Sequence, residues 1–285
     1  MVNLVNNYYA TRQGRKPDSL DFLTLKRVFL SIYKNFKDQY YFLEATGYKC
    51  VDRDLVSGKW GEDPSAIIYQ QTKLLNRWPI EDRIQDYDEQ VLFTMIEFLY
   101  DYISKPLDLD YHGWDNCGFH ATKYDDGAGK LEFAIQINEL LKNYSNGFEL
   151  FEGRIRQLPP SQFESLVKTD VVSFDPKNID ERVKQATNKY LKYGSDLDDK
   201  KQAIRTLTDV LEFLKKAGVK LKDKDDSDLF QIINNFDIRH HNTRQHGDYD
   251  KDVWYDWMFY TFLASIHALV KISGKSKKLI TSLVI

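Results

Sequence analysis

The chain has 285 residues, of which 42% are hydrophobic and 14% aromatic, so it can bury a sizeable core and is not a disordered chain. Its net charge of −3 argues against a protein that coats nucleic acid indiscriminately. There is no run of eighteen uncharged apolar residues and no apolar N-terminal leader, which points to a cytoplasmic protein with no membrane partner.

In chain order, the first expected helix runs from Ser19 to about Glu44, with Phe22, Leu23, Val28, Phe29, Ile32, Tyr33 and Phe36 on its buried side and Gly47 as its stop. A second covers Asp88 to Ser104 on Val91, Leu92, Met95, Ile96, Leu99 and Ile103, ended by Pro106. The segment with His112, Trp114, His120 and Asp125-Asp126-Gly127 reads as a long loop. A third helix is expected over Leu131 to Tyr144, and Phe148 to Leu158 alternates around Glu152-Gly153 as a β-hairpin closed by Pro159-Pro160.

All seven prolines lie at or before Pro176, and beyond it the pattern is helical. Ile179, Val183, Ala186, Tyr190 and Leu191 form one stripe. Ala203, Ile204, Leu207, Val210, Leu211 and Leu214 form another, started by Asp196 and stopped by Gly218. A shorter helix covers Leu229 to Phe236, and a long apolar one runs from about Val253 to Ile272. The fold class expected is mainly α: residues 1–165 as a mostly helical N-terminal domain with a small β-hairpin, and 176–285 as an up-and-down helical bundle.

Charge divides along the same line. Residues 1–175 carry 20 Lys+Arg against 27 Asp+Glu, and residues 176–285 carry 20 against 16, so the second part is the basic one. Within it, Arg239-His-His-Asn-Thr-Arg-Gln-His246 holds three of the six histidines and two arginines at the mouth of the last helix. Imidazoles titrate near neutral pH and guanidinium forks hold phosphate, so this octad is the candidate site. A zinc site built from His240, His241, His246, Asp248 and Asp250 matches no common ligand spacing. Cys50 and Cys117 are far apart and in no CxxC pattern, which argues against a disulfide framework or a zinc site there too; no metal or cofactor is expected.

Arg239 followed by the polar His240 and then by His246, at the entry to the last long helix of a small bundle, resembles the signature of the HEPN superfamily. The stretches Glu181 to Ala186, Asp199 to Ile204, Leu207 to Leu214 and Phe236 to His240 look like the C-terminal region of AbiJ-type abortive-infection proteins. Upstream, Ile137-Asn138, Gly147 to Leu150 and Gly153 to Ile155 look like the segment preceding that region, so the resemblance covers about residues 130–272.

The resemblance implies a bacterial anti-phage toxin, a metal-independent endoribonuclease that cleaves RNA to a 2′,3′-cyclic phosphate. His246 is then the proton-transfer residue and Arg239 the phosphate grip. His240 or His241 is a second proton-transfer group in one chain, unless a homodimer brings two octads into a composite site. Glu212 is placed to anchor Arg239, Asn242 is an auxiliary or turn residue, and the N-terminal domain would sense a phage-derived trigger or answer to an antitoxin. A second reading is a non-catalytic HEPN module that binds RNA, nucleotide or a protein partner.

Overall fold

The computed structural model describes residues 8–52, 54–235 and 249–282. It is mostly helical, with small two-stranded antiparallel hairpins, and it divides into two compact units, Met1–Gln157 and Leu158–Ile285.

In the first unit, helix α1 (Phe22–Asp38) starts where the Asp21 carboxylate accepts the Thr24 N–H, and it buries Leu25, Phe29, Tyr33 and Phe36. It is shorter than the apolar pattern suggests. Tyr40 takes a left-handed φ of 66° and breaks the helix, and Leu43–Thr46 forms a separate turn before Gly47. Leu23, expected inside, is exposed, because it lies one residue off the stripe that meets the core.

Strands β1 (Gly47–Cys50) and β2 (Asp54–Ser57) form the first hairpin, with Cys50 opposite Asp54. Its mouth closes where Gly47 and Gly58 touch backbone: a Cβ on Gly47 would lie 2.2 Å from the Val56 carbonyl. Helix α2 (Pro64–Thr72) follows, capped by Asp63. Helix α3 (Glu89–Tyr102), capped by Asp88, buries Val91, Leu92, Met95, Ile96 and Leu99, which at about 1.5–3 kcal/mol per large apolar side chain makes it a principal support of this unit.

The segment with His112, Trp114 and His120, expected as a loop, is instead part of a finger of paired strands over residues 105–125. Strands β3 (Lys105–Pro106) and β6 (Tyr124–Asp125) pair at its base, and β4 (Asp110–His112) and β5 (Gly118–His120) pair along its length. Asp108 closes the neck by accepting the Thr122 and Lys123 backbone N–H groups at 2.9 and 2.7 Å. Asp125, also read as loop, caps helix α4 (Asp126–Leu141) through the Ala128 N–H, so that helix begins five residues earlier than its apolar stripe. Strands β7 (Phe148–Phe151) and β8 (Arg154–Gln157) turn through Glu152-Gly153, both at positive φ, as a two-residue hairpin loop requires.

The second unit is built on α5 (Glu181–Leu191), α6 (Leu197–Lys216), α7 (Asp223–Asn235) and α8 (Lys251–Ser282). Asp196 caps α6, and Gly218 at φ 80° ends it. Val183, Ala186, Tyr190 and Leu191 of α5 and Ala203, Ile204, Leu207, Val210, Leu211 and Leu214 of α6 share one core with Leu229 of α7. Tyr255, Met258, Phe259, Phe262, Leu263 and Ile266 of α8 complete it. Phe163, Leu166 and Val167, N-terminal to Pro176, also pack on this core.

Candidate functional site

The octad joins α7 to α8, and Arg239, His240, His241, Asn242 and His246 lie outside the described residues, as does Asp248. The ends of the octad's connection are described. Asp250 caps α8, its Oδ1 accepting the Asp252 N–H at 3.1 Å and lying 3.4 Å from the Val253 nitrogen, which engages Asp250 in a helix cap. Glu212 is half-buried near the C-terminal end of α6.

On α8, Trp254 and Trp257 are exposed in the single chain, along with Val253, and the two indoles meet edge to face at 5.5 Å. Helix α8 is apolar around most of its circumference, so periodicity alone did not select the face that Tyr255, Met258, Phe259 and Phe262 turn to the core. Trp257 lines a shallow apolar groove with Phe163, Leu221, Tyr260 and Ala264. His267 is half-buried; its ring hydrogen-bonds the Leu166 backbone while its Nε2 has no partner, and burial, reinforced by Lys271, holds its pKa below the usual imidazole value.

The first unit contains a second constellation that the spacing of the cysteines concealed. Cys50 at the end of β1 meets His112 on β4, Cys117 in the finger's tip loop and His120 on β5, with one donor atom from each residue within 4.8 Å of the others. The strand register explains the grouping. His112 pairs with Gly118 and Asp110 with His120, so His112 and His120 are diagonal neighbours on one face, while Tyr111 and Phe119 occupy the other.

Around these four, Cys50 Sγ is 3.7 Å from His112 Nδ1, and Cys117 Sγ accepts the Val51 backbone N–H at 3.3 Å. Asp52 Oδ2 stands 3.4 Å from His112 Nε2. The His120 ring stacks on Tyr48 at 4.3 Å, and its buried Nε2 has no hydrogen-bond partner. Both cysteines are free thiols and Cys50 is buried. Sulfur and imidazole donors so grouped are those a thiophilic divalent cation takes, contrary to the expectation drawn from the absence of CxxC. The signal that was present is His112-x4-Cys117-x2-His120, three donors in nine residues; the fourth arrives from a hairpin more than sixty residues earlier.

The chain matches no family model, no curated protein and no solved structure.

Proposed function

We propose that the chain is a metal-independent endoribonuclease of the HEPN type, acting as an abortive-infection toxin. One observation carries the reading: the Arg239 to His246 octad connects α7 to the capped start of α8, in a helical unit whose core is shared by α5, α6, α7 and α8. RNA brings its own nucleophile, the 2′-OH, so the protein need supply a base, a cation for the phosphorane charge and an acid for the departing 5′-oxygen.

In this reading His246 transfers the proton and Arg239 holds the non-bridging oxygens through its planar fork. The second proton-transfer group comes from His240 or His241, or from the octad of a second copy across a two-fold axis. The exposed Val253, Trp254 and Trp257 on the first turns of α8 support the two-copy arrangement, because large apolar side chains there gain from being covered. The acidic first unit restrains the nuclease or answers to its trigger.

The test is incubation of the purified full-length protein with end-labelled RNA in EDTA. Cleavage that leaves 2′,3′-cyclic phosphate ends is expected, and His246→Ala should lower the rate by about 100-fold or more with the fold retained. Unimpaired cleavage by that variant would remove the assignment of His246. RNA that is bound and left intact by the wild-type protein would favour the non-catalytic module.

A further inference from the structure

We infer that Cys50, His112, Cys117 and His120 bind one zinc ion that staples the β1–β2 hairpin to the β4–β5 finger. The donor set is two thiols and two imidazoles, the composition of a closed, four-coordinate structural zinc site. With Zn–S near 2.3 Å and Zn–N near 2.0 Å, a tetrahedral ion holds its ligand atoms roughly 3.3–3.8 Å apart. The 3.7 Å between Cys50 Sγ and His112 Nδ1 already has this value. The spread of 4.8 Å over the whole set closes with side-chain adjustment alone.

The surroundings fit an occupied site. Asp52 beside His112 Nε2 holds that ring with Nδ1 towards Cys50, the outer carboxylate that orients zinc-bound imidazoles. The Val51 N–H directed at Cys117 Sγ stabilises a thiolate by hydrogen bonding to its charge. The unpaired Nε2 of His120 leaves a buried polar atom whose desolvation is otherwise uncompensated.

Energetics give the ion its purpose. Strands β1, β2, β4 and β5 are three or four residues long, and Cys50 is their one buried residue. Two-stranded hairpins of this kind are at best marginal alone. A zinc ion joining them supplies through coordination the cohesion that their side chains lack. All four positions come from protein, so no site is left open for substrate and the role is structural. A Cys50–Cys117 disulfide would use the two sulfurs and leave both imidazoles idle.

The test uses full-length protein bearing no histidine tag and purified without chelator. Elemental analysis should find about one zinc per chain, and exchange for Co2+ should give the visible bands of a tetrahedral site with a sulfur-to-cobalt charge-transfer band. Cys117→Ser should lower zinc content to below about one in ten chains, and removing zinc from wild type with a strong chelator should lower the melting temperature. Should the variant fail to fold, the cobalt spectrum of the wild type decides on its own. Zinc-free protein with both thiols freely titratable, or joined as a disulfide, and with a melting temperature indifferent to chelator, overturns the inference. RNA cleavage is not among these readouts, so the outcome is separate from that of the ribonuclease reading.

Discussion

Tyr190 and Asp256 tie α5 to α8: the phenol donates to Asp256 Oδ1 at 2.5 Å, and the Tyr190 ring lies flat on Phe259 with centroids 3.8 Å apart. Lys200 of α6 adds its charge 3.7 Å from the same carboxylate. Burial, with the Asp256 hydrogen bond and charge, pushes the Tyr190 phenol well above its ordinary pKa, so at neutral pH it is the protonated phenol that faces Asp256. The contact fixes the first turns of α8, which the octad enters.

Tyr190→Phe keeps the stack and removes the hydrogen bond, and it should cost about 1–2 kcal/mol. Tyr190→Ala also opens a cavity against Phe259 and should cost about 3–5 kcal/mol. Denaturant midpoints measure both. A Tyr190→Phe protein as stable as wild type would show that the phenol–carboxylate bond contributes nothing net.

Glu149 and Arg156 face each other across β7 and β8, and both side chains are buried. The Arg156 Nε donates to Glu149 Oε1 at 2.9 Å, Nη2 stands 2.8 Å from the same oxygen, and the guanidinium lies 3.5 Å above the Phe151 ring. Replacing one partner deprives the other buried charge of this ion pair, so Arg156→Met or Glu149→Leu alone should each cost about 3–5 kcal/mol. The double replacement should recover most of that loss, because it removes both desolvation costs. Additive losses in the thermal unfolding of the three variants would contradict this account of the pair.

These elements differ in how plainly the sequence announces them, and the reason is physical. Helix α6 is legible because its apolar side is one narrow stripe between an Asp196 cap and a Gly218 stop. Helix α3 and the β7–β8 turn announce themselves in the same way, through Asp88 and through Glu152-Gly153. The finger does not: β4 and β5 are too short and too exposed to alternate, and their grouping is fixed by pairing with partners remote in sequence. Cys50 and Cys117 are brought together by two hairpins, a relationship that no local spacing encodes. The octad was conspicuous by composition alone, whereas which face of α8 is buried depended on packing against α5 and α6.

His267 makes stability depend on pH in one direction. Its folded pKa lies below the ordinary value of 6.5, chiefly because burial penalises the charged ring and secondarily because Lys271 is nearby. As pH falls below 6.5 the unfolded chain takes up this proton before the folded one does, so the contribution of His267 to stability is full above that pH and declines below it. His267→Asn keeps a donor for the Leu166 backbone and removes the titration. The difference in melting temperature between wild type and variant should therefore shift against wild type between about pH 7 and pH 5. Parallel pH profiles for the two proteins would assign the acid sensitivity to other groups.

Trp257 gives the composite-site arrangement its sharpest test, because it can be changed with little injury to the core. It is exposed at the start of α8 beside Trp254 and Val253, and the core face of that helix is carried by other residues. Trp257→Glu places a charge on a surface that the two-copy reading covers, where leaving it buried without a partner costs several kcal/mol in association. The variant should keep its helical signal and unfold within about 1 kcal/mol of wild type, since surface substitutions rarely do more. Light scattering should find it monomeric at concentrations where wild type is dimeric, with RNA cleavage falling in step and returning as concentration is raised. A monomeric Trp257→Glu protein that cuts RNA at the wild-type rate would mean that one chain carries both proton-transfer groups, leaving His240 or His241 as the partner of His246.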